Sequence, residues 1–342
     1  SILLLISCNN NERSISSHEV SEQQPPTEQG EKWSSVEMNQ ARLIQGQFKE
    51  MLLESTGDSN LMKRDAHPKH HGCVQAQLEI DNKNLKSKHQ VGLFSKNKKY
   101  KSMVRFSNGD PNHLKADTER DVRGMAVKVF DVPYEHYLTT SGVEAHNAIH
   151  DFVFMNSKEF FIKDPSHYGK FMESLKKGSV LGFAAVAILN PFDKFVSIIG
   201  KAFNMKVGNP LDIDYHSATP YKLGPNSMKM KFVSCKSKKD AIDKNSNENF
   251  LSKKLTSYLS KSKSCFNFYV QINNDPKKNK IENSQLVWSE KKSPYVKVGK
   301  LLIAKQSVKS VMNRMGACEN VSFNPWRAPL ENRPLGGINR IR

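Results

Sequence analysis

Acid is what the 342-residue chain is short of: 34 Asp and Glu stand against 52 Lys and Arg, a formal net charge of +18. Cysteine is scarce too, and the five present include no C-x-x-C pair, which excludes a zinc ribbon and a dense disulfide framework. Beyond Cys8, the cysteines Cys73, Cys235, Cys265 and Cys318 are scattered. One disulfide suits them in an oxidising compartment, and spacing alone does not choose its partners. No apolar run spans a bilayer, since the candidate within residues 165–204 is broken by Gly and by Asn190-Pro191. No long internal repeat is visible. The basic excess would permit binding to nucleic acid or to an anionic membrane surface. Lysine far outnumbers arginine, however, and gathers at Lys96–Lys101, Lys236–Lys263 and Lys277–Lys280 without an aromatic-rich motif. These runs read as a solvated lysine surface, and no nucleic-acid partner is expected.

A hydrophobic share of 37% fits a globular body carrying polar tails. The chain opens on Ser1 rather than Met and reads as a fragment missing its start. SILLLISC, residues 1–8, resembles the end of a bacterial lipoprotein signal, whose Leu-Ile-Ser-Cys box is cut before the lipidated cysteine. That resemblance implies a lipid anchor through Cys8 and a periplasmic or cell-envelope location, with the cytoplasm as the alternative. Residues 9–34 are too polar to bury a core and read as a tether. Residues 35–342 are left as one domain.

Within that domain, SVEMNQARLIQGQFKEMLLEST (35–56) has helical periodicity, with Met38, Leu43, Phe48, Leu52 and Leu53 near one face. From Gly72 to Ile80 the pattern alternates, as a strand's should, with Val74, Ala76, Leu78 and Ile80 on one side. VGLFSK, YKSMVRFSN, GMAVKVFDV and NAIHDFVFMN continue as short strands punctuated by Gly, Asn, Asp or Pro. Helices are expected across 165–204 and 249–262, and strands across 221–236, 266–274 and 295–306. A closed antiparallel barrel with flanking and inserted helices, an α+β fold, accommodates this order.

RDAHPKHHGCVQAQLEI, residues 64–80, places His67, His70, His71 and Cys73 close together. The cluster could be a metal site, or one histidine could be a catalytic base. A zinc site needs four ligands converging on one point. Pro68 and the strand after Gly72 favour an extended path that sends neighbouring side chains to opposite faces.

Longer motifs follow in order: MVRFSNGD, KADTERDVRGMAVKVF, HDFVFMNSKEFFIKDP, FYVQINN, SPYVKVGKLLI and SFNPWRAPLENRPLGGINRIR. With RDAHPKHHG they resemble the haem catalase superfamily, in its short, single-domain, catalase-related peroxidase branch, from about Arg64 to Arg342. The resemblance implies a catalase-like closed barrel, haem b as cofactor, and breakdown of hydrogen peroxide or organic hydroperoxides. It aligns His67 with the distal histidine. Such a group takes a proton from one peroxide oxygen and returns it to the other as the O–O bond breaks. Ser107 matches the serine that holds this ring. Asn156 is the candidate distal amide, although an ungapped alignment puts Met155 on the usual asparagine. Arg64 and Arg105 match arginines that contact haem propionates, where a bidentate cation suits a buried carboxylate. Tyr168 aligns with an aromatic residue covering the distal face.

On the proximal side the family places an arginine four residues before an iron-ligating tyrosine, polarising the phenol. INRIR puts Arg342 at that arginine, so the tyrosine is expected beyond the last residue and the present chain is expected to retain haem weakly. Ala66, beside His67, does not reproduce the threonine of a related allene oxide synthase, which counts against fatty-acid hydroperoxide rearrangement as the alternative activity. A haem- or metal-holding protein without catalysis, and a polyanion-binding protein, are the remaining alternatives. Tetramer formation and nicotinamide binding do not carry over, because the long arm and C-terminal domain of large catalases are absent from this sequence.

Overall fold

The computed structural model describes residues 27–33, 35–56, 67–110, 112–136, 148–176, 194–242 and 248–341. Along them run α1 (Ser35–Thr56), β1 (His70–Ile80), β2 (Lys98–Asn108), β3 (Arg123–Val129), β4 (His150–Met155), α2 (Pro165–Lys176) and α3 (Phe195–Phe203). After these come β5 (Tyr215–His216), β6 (Tyr221–Leu223), β7 (Asn226–Ser234), α4 (Phe250–Lys261), β8 (Ser264–Ile272), β9 (Tyr295–Ile303), α5 (Val308–Glu319) and α6 (Gly337–Arg340). Every pairing is antiparallel in the order β5-β4-β3-β2-β1-β9-β8-β7-β6, and β5 also pairs with β7. That last pairing closes eight strands into a barrel, with β6 added to β7 as a hairpin. Closure satisfies backbone groups that an open sheet would leave at its edges.

Alternation decides which side chains enter the barrel. Tyr100, Val104 and Phe106 of β2, Met125 and Val127 of β3, Phe152 and Phe154 of β4, and Phe266 and Phe268 of β8 fill it. Phe232 of β7 stacks on Phe268 at 4.4 Å and meets Phe154 edge-on at 5.0 Å. Each such pair contributes about 0.5–1.5 kcal/mol beyond the area it buries. The residues in between, Arg105 and Ser107 of β2 and Gly124 of β3, therefore face the outside of the wall.

Helices cover that outside. Leu251, Leu255 and Leu259 bury one stripe of α4, and the Asp117 carboxylate accepts the Leu251 N–H at 3.0 Å, capping the first turn. In α1 the buried stripe is Ala41 and Ile44, while Leu43 is 58% exposed, so the apolar face lies one residue on from the expected one. VGLFSK is not a strand: Gly92–Phe94 form a 3-10 turn with Gly92 at φ +53°, and the Leu93 N–H donates to Asn332 Oδ1 at 2.8 Å. Helix α5 lies where no helix was expected. Residues 27–33, assigned to the tether, lie against the domain, because Glu31 is buried between Arg333 (2.8 Å) and Arg340 (2.9 Å).

Two disulfides stand where one was expected. Cys73–Cys318 joins β1 to the end of α5, and Cys235–Cys265 ties the end of β7 to β8. The first spans 245 residues, a separation that no local pattern reveals.

Candidate active site

His67 stands just before β1, with its backbone at φ +56°, a left-handed conformation that is costly for a non-glycine residue. Neighbouring groups hold it there. Arg105 Nη2 donates to the His67 carbonyl at 2.8 Å and to the Pro68 carbonyl at 3.3 Å. A register shift between His70 and Gly72 follows at the start of β1, where His70 pairs with Ser107 and Gly72 with Phe106. Such a bulge re-aims side chains at the rim of a barrel.

The imidazole of His67 lies against the outer wall. Its Nδ1 is 3.0 Å from Ser107 Oγ, and the ring rests over Gly124, where an added Cβ would come within 2.5 Å of Nδ1. A serine hydroxyl both donates and accepts. It can therefore partner Nδ1 whether that atom is bare or protonated. His67 is half-buried, so the ring remains within reach of a small molecule. Ser107, Gly124 and Met155 stand opposite one another across β2, β3 and β4 and so share this outer face. Met155 contacts an apolar cluster that includes Phe160 and Phe161.

The three histidines of the cluster diverge. His70 Nε2 pairs with Glu319 at 2.7 Å. His71 is buried, with Nε2 2.8 Å from Asn108 Oδ1 and Nδ1 3.7 Å from Asp117. Burial pushes its pKa down to about 3, overriding the attraction of Asp117, so it stays neutral as a structural group. Cys73 is in a disulfide.

Other expected site residues fall differently. Asn156 is buried, its Oδ1 accepting the Arg123 N–H at 2.9 Å and its Nδ2 donating to the Ala202 carbonyl at 3.0 Å, with Met205 Sδ at 3.7 Å. Its amide thus joins β3 to α3 and offers no spare donor to a peroxide. Arg105, expected at a propionate, serves the His67 backbone and lies 3.7 Å from Glu319. Tyr168 sits among aromatic rings, parallel to Phe171 at 6.3 Å and tilted against Phe48 at 6.3 Å. Arg64, Ala66, Arg342 and Cys8 lie outside the described residues.

Two contributors carry little signal in the sequence. Gly124 is the floor under His67, signalled only by the Arg-Gly of RDVRGMAVKVF. Arg340 meets three carboxylates, Glu31 at 2.9 Å, Glu37 at 2.6 Å and Glu282 at 3.0 Å, near the chain's end. Despite these contacts, burial raises the Glu37 pKa above the usual carboxylate value.

A family model described as Catalase matches residues 22–197, just over half of the chain. The chain belongs to the catalase family. Solved catalases share its fold. A fungal catalase superposes with a TM-score of 0.63 at 18% identity, covering 83% of this chain and 57% of its own. Catalase A from Saccharomyces cerevisiae gives 0.63 at 19%, covering 83% and 59%, and a bacterial catalase gives 0.61 at 18%, covering 81% and 55%. The chain thus spans less than two thirds of these catalases. No curated protein matches it.

Haem is the group the catalase family implies. The His67 side fits such a group, because a half-buried imidazole is held close over a glycine by a serine that tolerates either protonation state.

Proposed function

We propose that this catalase-family domain breaks down a peroxide at haem b, with His67 as the proton-transfer group. The observation behind this reading is the triad of His67, Ser107 and Gly124 on the outer wall. When bound, haem supplies the iron chemistry that cleaves the O–O bond. The chain's own part is to move protons: His67 Nε2 takes one from a peroxide oxygen and returns it to the departing one. Throughout, Ser107 Oγ accepts from Nδ1–H, which fixes the ring and supports its cationic form. Arg105 keeps the His67 backbone in its left-handed conformation. Asn156 acts as a latch between strand and helix rather than as a peroxide ligand. Arg64 and Tyr168 keep the haem-contacting roles that the resemblance implies, and Arg342 keeps the role of polarising the proximal phenol.

The two disulfides favour an oxidising compartment. This agrees with a cell-envelope protein held by a lipid on Cys8.

The test is haem titration of the full-length protein, followed by peroxide consumption. A stoichiometric Soret band together with peroxide loss is expected. Absence of haem uptake would end this reading.

A further inference from the structure

The two disulfides sit in opposite surroundings. Cys73 and Cys318 are both buried, whereas Cys235 is exposed and Cys265 half-buried. Thiol–disulfide exchange needs a thiolate to reach a sulfur in line, so access separates the two pairs. A groove of about 1210 Å³ opens over Cys235 and Cys265, running between the segment after β7, α4, and strands β1 and β9.

Six lysines and a single aspartate line this groove. Lys236 is neutralised by Asp212 at 2.5 Å and Asp240 at 3.0 Å. Lys254 acts on the same Asp240, while Lys238, Lys239, Lys263 and Lys300 make no ion pair with a described residue. The charge of these four does two things to exchange. It concentrates anions in a concave, partly low-dielectric space. It also stabilises a cysteine leaving as thiolate, which speeds the break.

We propose that Cys235–Cys265 is an exchange site for an anionic low-molecular-weight thiol, drawn in by the lysine groove around it. The thiolate attacks the exposed Cys235 Sγ, the S–S bond breaks, and Cys265 leaves as thiolate, giving a mixed disulfide on Cys235. A second thiolate attacks the sulfur of the first, releasing Cys235 as thiolate and the oxidised thiol dimer. Two thiols lose two electrons in all, and the protein disulfide gains them with two protons from solvent. The reaction needs no haem and stands apart from the His67 site.

The test compares glutathione, anionic overall, with cysteamine, whose ammonium cancels its thiolate charge. The folded full-length protein is incubated with each, quenched by alkylation and mapped by mass spectrometry, with rates normalised to thiolate concentration. Labelling should appear at Cys235 and Cys265 with Cys73–Cys318 intact. Glutathione should react roughly tenfold faster at low salt, and the advantage should collapse near 1 M salt, where screening acts within about 3 Å. A Lys238→Glu, Lys239→Glu variant, changed only at exposed positions, should lose most of that advantage. Equal rates for the two thiols, a ratio unmoved by charge reversal, or earlier opening of Cys73–Cys318 would each overturn the proposal.

Discussion

Replacing Gly124 by alanine probes the site with one methyl group. The new Cβ would stand 2.5 Å from His67 Nδ1, 2.6 Å from Cε1 and 2.8 Å from Ser107 Oγ. Comfortable separation for such atoms is about 3.5–4.0 Å, so the ring must retreat by roughly 1 Å. Overpacking of this kind costs about 1–3 kcal/mol, and the lost hydrogen bond about 0.5–1.5 kcal/mol. Removing a glycine from the unfolded chain returns about 0.4–1 kcal/mol. The net loss of stability is therefore about 0.5–4 kcal/mol. Activity should suffer more, because a 1 Å displacement of a catalytic group costs about 100-fold in rate. The assay is peroxide consumption per bound haem, alongside thermal unfolding. If the Gly124→Ala protein binds haem, unfolds normally and turns over peroxide like the parent, the ring does not rest where the account places it.

Ser107→Ala leaves the fold intact but frees Nδ1, so about 1–2 kcal/mol of transition-state stabilisation should vanish, a roughly 5- to 30-fold fall in turnover at unchanged Soret intensity. Arg340→Met strands the carboxylates of Glu31, Glu37 and Glu282, and urea unfolding should report a loss of about 3–5 kcal/mol. His71 gives a pH dependence. Its folded pKa is about 3 against an ordinary 6.5, so between those values the unfolded chain binds the extra proton and stability falls as pH falls. His71→Gln should flatten the wild-type slope between pH 6 and 5 by about 1 kcal/mol per pH unit, measured by urea unfolding; an unchanged slope would mean His71 titrates freely.

The fold was legible where consecutive residues carry the signal. Alternation in YKSMVRFSN and GMAVKVFDV marks β2 and β3, and it also explains why Arg105 and Ser107 share the outer face. The end of α1 was readable from its periodicity, but its exact face was not, because Leu43 and Ile44 are equally apolar and only packing chooses between them. What depends on distant partners was hidden. The turn at Gly92–Phe94 is held by Asn332, and α5 is tied down by a disulfide to β1. At the site, the motifs that carry His67 and Ser107 were readable because each is nearly unbroken, and the two side chains meet at 3.0 Å. Asn156 misled, since a buried amide that bridges Arg123 and Ala202 looks in sequence like one that faces a ligand.

The central claim is that His67 moves the proton. Haem-loaded full-length protein and its His67→Ala variant, matched for Soret intensity, should be compared in their second-order rate of peroxide consumption. The account predicts a fall of about 100-fold or more, in keeping with the usual 10²–10⁴ contribution of a positioned acid–base group. A variant that binds haem equally and consumes peroxide at the parent's rate would contradict it.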